Sequence, residues 1–163
     1  MNLIARLCLL ACLPAAHAAD TTLTPDAVFD RYVAAVHAGD MPAVRALISP
    51  AVERSDFAGC RPDMDNASCL AHYIEATVVG PKARLTTVRR HTDGDTVTAE
   101  LEVRSALYTK TGVDRIVGRD IVRVRDGRIH AFRFVPDFSD EPTAVFFATL
   151  GIGPRASKPA PQP

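Results

Sequence analysis

The chain carries two hydrophobic periods, one after the other. Between Thr24 and Val78 apolar residues return every three or four positions, and from Lys82 to Pro136 they return at every second position. The first period predicts helices. In "TPDAVFDRYVAAVHAGD" Thr24 is placed to cap, Pro25 suits the first helical position and Gly39 suits the stop. Val28, Phe29, Tyr32, Val33 and Val36 then share one face. Asp40 can cap a short second helix, "MPAVRALI", which Ser49 and Pro50 end. Residues 51–66 read as a loop, and "ASCLAHYIEATV" supports a third helix.

The second period predicts strands over 84–92, 96–109, 113–125 and 128–136, joined by "DGD", "KTG" and "DG". Asp-Gly links suit tight hairpins, because Gly accepts the positive φ those turns need. The strands therefore form an antiparallel meander. "DEPTAVFFATL" fits either a terminal helix or a further strand. Helices first and a meander after define an α+β domain, with three N-terminal helices packed on one face of the sheet. Along the second strand Val97, Ala99, Leu101, Val103 and Leu107 fall on the covered side, and Thr98, Glu100, Glu102 and Arg104 on the other. Along the third, Arg115, Arg119 and Arg123 fall outward, while Asp120 shares its parity with Ile116, Val122 and Val124. A carboxyl is thus expected to face the interior.

The ends of the chain change the picture of where this domain works. Residues 1–18 carry one Arg, an apolar run and then Ala16-His17-Ala18, the small-x-small pattern of a signal peptidase site. They read as an export signal, residues 19–153 as the domain, and residues 154–163 as a disordered Pro-rich tail. A lipoprotein signal, with Cys12 as the lipidated residue, is the competing reading. The apolar run is too short to span a bilayer, which takes about 20 residues. Arg predominates over Lys in an Ala-rich chain, a bias of bacteria with GC-rich genomes, so the expected location is periplasmic or secreted. With 19 Lys and Arg against 19 Asp and Glu, nothing pulls the protein toward nucleic acid or an anionic membrane.

Cys60 and Cys69 remain after the leader is removed, and an oxidising compartment favours a disulfide between them. Closing a loop of about ten residues contributes roughly 2.5–3 kcal/mol through chain entropy. His72 follows Cys69 at a Cys-x-x-His spacing, but without a fourth ligand the metal reading is weak. The chain has no Gly-rich phosphate loop and no nucleophile elbow, and no cofactor is expected.

The helices before a curved sheet, "RYVAAVHAGD" in the first helix and "GRDIVRVRDGRI" across the last hairpin resemble the SnoaL-like branch of the NTF2-like superfamily. The resemblance covers about Thr24 to Phe138 and implies a cone whose helices and sheet enclose an apolar cavity. Within that superfamily "DRYVAAVHAGD" and the acid opening "DIVRV" are similar to ketosteroid isomerase. On that likeness Tyr32 matches the oxyanion-hole tyrosine and Asp120 the protonated aspartic acid. The family's general base lies where this chain reads "SPAVERSDFAGC", with Glu53 and Asp56 as the acids on offer.

From the residues alone, Asp120 beside apolar neighbours should keep its proton and donate a hydrogen bond, and Tyr32 offers a second donor from across the cone. A buried acid also has a plain structural reading, in which it pairs with Tyr32, His130 or an Arg. The last strand leaves a choice. If Phe132 and Phe134 point inward, His130 joins Asp120 as an acid or base; if they point outward, Arg133 lies inside instead. The expectation is an exported domain that binds a small, largely apolar molecule. Its catalytic candidates are Asp120, Tyr32, Asp56 and His130, and its lining candidates Val28, Val103, Val122, Phe132 and Phe134. The alternative is a non-catalytic module that forms a homodimer or joins an envelope complex through the Glu/Arg face of its sheet.

Overall fold

The computed structural model describes residues 23–53 and 59–153. The proposed leader, the proposed tail and Asp56 lie outside the described residues.

Helix α1 spans Pro25–Ala38, with Thr24 Oγ1 accepting from the Ala27 N–H at 3.2 Å and Gly39 in the left-handed conformation at its end. Helix α2 is Met41–Leu47, capped by Asp40, and α3 is Asn66–Ile74, capped by Asp65. A π-helical turn, Glu75–Val79, prolongs α3. The strands are β1 (Arg84–Asp93), β2 (Thr96–Arg104), β3 (Ile116–Arg125) and β4 (Arg128–Pro136), in the order β1-β2-β3-β4 and antiparallel throughout. The expected meander is therefore present. Asp126 and Gly127 turn β3 into β4 with φ of 49° and 69°, the left-handed pair a two-residue hairpin requires.

The ambiguous terminal segment is a helix, α4 (Glu141–Thr149), because Asp140 caps it and a proline occupies its first turn. Thr143 fixes its place. β4 stops at Pro136, so the backbone of Val117 on β3 has no further strand partner on that side. The Asp137 N–H donates to the Val117 carbonyl at 3.0 Å, and Thr143 Oγ1 accepts from the Val117 N–H at 2.8 Å. A loop amide and a helix hydroxyl thus continue the ladder, and Thr143 is fully buried.

Strand β2 ends at Arg104, short of the expected 109. Ser105 Oγ accepts from the Leu107 N–H, the chain turns, and a short 3-10 helix, Thr109–Thr111, follows. The turn shifts the parity by one. Leu107, expected in the core, is 44% exposed, and Tyr108 is buried in its stead against Phe146, ring centroids 4.7 Å apart.

Two bulges interrupt the alternation of the outer strands. Val88 is the extra residue between Thr87, opposite Leu101, and Arg89, opposite Glu100. It leaves Arg90 on the covered side, where its guanidinium meets Asp26 and Asp30 of α1 and lies over the Phe29 ring. His130 is the extra residue in β4, between Ile129 and Ala131. The free edge of β4 there is covered by the segment after α2: the Ser49 and Glu53 N–H groups donate to the Ile129 and His130 carbonyls.

Replacing Thr143 by Val should cost about 1–3 kcal/mol, because the Val117 N–H loses its acceptor inside the core. Thr143→Ser should keep most of the stability. Urea denaturation of the three proteins checks this, and equal stability of the Val variant contradicts the ladder extension.

Candidate functional site

The parity expected for Asp120 holds. Asp120 sits opposite Ala99 on β2 and Phe134 on β4, and both registers run unbroken past it. Val97, Ala99, Leu101 and Val122 around it are buried, and Asp120 itself is 3% exposed. Every arginine of β3 occupies the other parity. Burial pushes the Asp120 carboxyl up to about 8, and no hydrogen bond or cation from the described residues offsets that shift. At neutral pH the group is mostly a neutral acid.

Two phenol hydroxyls, from two separate elements, lie near it, and a third adjoins one of them. Tyr32 stands on the inner stripe of α1, 1% exposed, and its ring meets Phe132 edge-on at 5.7 Å. Burial first, and then the Asp120 carboxylate, hold its hydroxyl well above the ordinary range. Tyr73 comes from α3, its ring 6.5 Å from the same Phe132. Burial and then Asp120 push its hydroxyl up to about 12. Tyr108 arrives through the turn after β2, and its hydroxyl is raised by burial and then by Tyr73. These are all three tyrosines of the chain. Each therefore stays protonated at neutral pH, and the cone presents an uncharged acid with phenol donors around it.

Sequence reasoning placed Tyr32 and Asp120 together and missed Tyr73 and Tyr108. Tyr73 carried a usable signal, since it lies one turn beyond Cys69 and one residue before the buried Ile74. Tyr108 carried none, because its burial depends on where β2 ends.

The other candidates divide. Val28, Val103, Val122 and Phe132 are buried on the interior, and Phe134 is half-buried. The Phe134 ring lies across Gly118, where a built Cβ would come 2.4 Å from its Cζ. No side chain at 118 could share that space. Arg133 is exposed opposite Ile121, so the phenylalanines take the inner side. His130 nevertheless does not follow them by simple alternation: as the bulge residue it is half-buried, and the fully buried place at that level belongs to Ile129. Glu53 is paired with Arg123, which belongs to the outward row of β3, and 62% of its side chain is exposed. Cys60 and Cys69 form the expected disulfide, with Cα atoms 5.2 Å apart. His37 Nε2 accepts from the Leu85 N–H at 3.0 Å, so it acts as an acceptor at the edge of β1.

Among the described residues no group of three or more His, Cys, Asp or Glu could hold a metal ion. None of the described helices is long and apolar enough to cross a membrane. A depression of about 450 Å³ opens on the outer face of the sheet, lined by Val88, Glu100, Val117, Arg119, Pro136 and Asp137 among others. It lies behind the sheet from Asp120 and includes none of the candidate residues.

The fold recurs in solved structures. Delta 5-3-ketosteroid isomerase from Mycobacterium sp. is 17% identical, with a TM-score of 0.54 over 72% of this chain and 96% of that one. A putative polyketide cyclase from Sinorhizobium meliloti is 16% identical, with a TM-score of 0.54 over 66% and 92%. RV0760c from Mycobacterium tuberculosis, in complex with estradiol-17beta-hemisuccinate, is 16% identical, with a TM-score of 0.53 over 69% and 93%. The sequence matches no curated protein. The family defined by the SnoaL-like domain matches residues 29–132, from α1 through Phe132, the ring that Tyr32 and Tyr73 share. On that match, and with the α+β cone in place, the chain belongs to the SnoaL-like domain family.

Proposed function

We propose that the cone binds a small, largely apolar molecule through an oxygen atom, which accepts hydrogen bonds from the protonated Asp120 carboxyl and the Tyr32 hydroxyl. The observation that carries this reading is Asp120 itself: 3% exposed, raised to about 8, and relieved by no hydrogen bond from the described residues. An acid held only as architecture would be expected to have a donor or a cation on it. Structural neighbours named as a ketosteroid isomerase and as a complex with estradiol-17beta-hemisuccinate support the same class of ligand.

Acid–base turnover of a carbonyl or lactone substrate is the finer version. The neutral acid and the phenols are suited to stabilise negative charge developing on an oxygen. A base is also needed, and Asp120 is the only buried acid among the described residues. Asp56 is the base candidate that the family likeness leaves open, while the pairing of Glu53 and the bulge at His130 weigh against those two. Binding is therefore the reading that stands on the described groups.

Residues 1–18 would direct the protein out of the cytoplasm, to the periplasm or the medium, and the disulfide supports an oxidising compartment. A second reading, a homodimer through the sheet face, draws on Val88, which is 69% exposed beside the outer depression.

Screening against hydrophobic ketones and phenols should give a thermal shift and a bound mass under native conditions. No ligand from a broad apolar set would remove the binding reading. For any ligand found, affinity should fall as pH rises through about 8, where Asp120 ionises and ceases to donate. Asp120→Asn keeps a donor and should abolish that pH dependence, and Asp120→Leu should weaken binding by about 3–10-fold.

The same group sets a stability trend. A carboxyl that ionises near 3.9 when unfolded and at about 8 when folded binds the proton more tightly in the native state. Folding stability should therefore decline between pH 4 and 8, by at most about 1.4 kcal/mol per pH unit, and level off above. The difference between wild type and Asp120→Asn across that window isolates the effect, and a flat difference would place the carboxyl in water.

The dimer reading predicts a concentration-dependent mass in sedimentation that Val88→Glu shifts to the monomer. A strictly monomeric wild type overturns it.

A further inference from the structure

We infer that the Cys60–Cys69 disulfide is a positioning element of the ligand site, and that it acts through Tyr73. This rests on the binding reading above and assigns the cross-link a role beyond stability.

The cross-link and the tyrosine sit on one helix. Cys69 and Tyr73 are four residues apart on α3, hence on the same face one turn apart. Cys69 is 1% exposed, and the two residues that follow it, Leu70 and Ala71, are equally buried. Residues 59 and 60 run against that helix at two points. One is the disulfide, and the other is Gly59, where a built Cβ would lie 3.3 Å from His72 Nε2. At its start α3 is held by the Asn66 Nδ2–H donating to the Val52 carbonyl at 3.0 Å. At its end it passes into a π-helical turn, whose Thr77 hydroxyl donates to the Tyr73 carbonyl at 2.7 Å.

Strand ladders fix Asp120, Phe132 and Phe134 with respect to one another. Tyr73 has no ladder. It reaches the same Phe132 ring as Tyr32 does, from a nine-residue helix that ends in a widened turn. A helix that short gains little from its own hydrogen bonds, and rotation about its axis would carry the Tyr73 hydroxyl away from Asp120. The covalent tie at Cys69 opposes that rotation one turn from the hydroxyl. The site would then be complete only after the two thiols have given up two electrons and two protons to a thiol–disulfide oxidant, the chemistry of the compartment the leader implies.

The test is a cycle of binding measurements on four full-length chains: wild type, C60A/C69A, Y73F, and the triple variant. The probe is estradiol-17β-hemisuccinate, or the tightest ketone or phenol from the screen. Loss of the cross-link and loss of the hydroxyl should each weaken binding by about 3–10-fold, the worth of one hydrogen bond. Combined, they should weaken it no more than either alone, within about twofold. Multiplicative losses, unchanged affinity in C60A/C69A, or collapse of the fold when the cysteines are removed would overturn the proposal.

A ligand-free arm separates this inference from the binding reading. Ultraviolet titration of the phenols, with Y73F as the reference, should place the Tyr73 hydroxyl at about 12 with the disulfide intact. In C60A/C69A it should move toward the ordinary 10, with Tyr32 and Tyr108 shifting no more than they do in Y73F, where the same neighbour is lost. If wild type binds no probe but this shift is seen, the binding reading fails and the positioning stands. If probes bind and Tyr73 does not shift, the positioning fails alone.

Discussion

The Asp120 carboxyl lies among Ala99, Leu101 and Val122 on the covered face of a four-stranded sheet, and no cation among the described residues shares its charge. Raising an acid from its ordinary value to about 8 amounts to a penalty on the order of 5 kcal/mol against ionisation. The chain does not lack cations that could remove the penalty. Strand parity keeps those of β3 outside, where Arg123 meets Glu53, and Arg115, just before the strand, meets Asp140. One residue's shift in register would reverse this, bringing an arginine in and the acid out. The unbroken pairing of β3 with β2 on one side, and with β4 from Gly118 to Arg123 on the other, is the constraint on which the site depends.

Irregularities are accordingly confined to places that leave this pairing intact. The bulge at Val88 falls on β1, a strand away from Asp120, and the bulge at His130 falls beyond Arg123 toward the hairpin. Both strands that carry them are at the sheet's edges, where an extra residue disturbs one ladder only. Each edge is then covered by something other than a strand. At β1 the His37 imidazole accepts from Leu85 and Arg90 clamps α1, and at β4 the segment from Ser49 to Glu53 lies alongside.

What could be read from the sequence follows from the same distinction. α1 was legible because its cap, its proline, its apolar stripe and its terminal glycine all agree, and the β3–β4 hairpin because Asp126-Gly127 admits one kind of turn. Asp120 was legible because β3 alternates without a break from Ile116 to Val124. The end of β2 was not. Ser105 stops the strand with a side-chain hydrogen bond to its own backbone, a local competition that period-two counting does not register, and the change of parity exchanges Leu107 for Tyr108. The bulge at His130 escaped for a related reason, since nothing in "RIHAFRF" distinguishes the extra residue from its neighbours. Tyr73 was missed although it follows Cys69 by one turn, because that spacing gives its face of α3 without saying how the helix is rotated against the sheet.

The electrical character of the site narrows the kind of molecule it suits. Below about pH 8 the acid is neutral, and the three phenols, raised by burial, are neutral too. Among the described residues a cationic ligand would meet no counter-charge there, and an anionic one would have to shed its hydration against hydroxyl donors, in surroundings made mainly of Val, Ile, Leu, Ala and Phe. A neutral molecule with an acceptor oxygen faces neither cost. Its oxygen exchanges water donors for Asp120 and Tyr32, while its apolar body is removed from water at roughly 25 cal/mol per Å². The feature that penalises the folded chain, a carboxyl denied its charge, is thus the same feature that would let it favour a ketone, an ester or a phenol over the ions that share its solution.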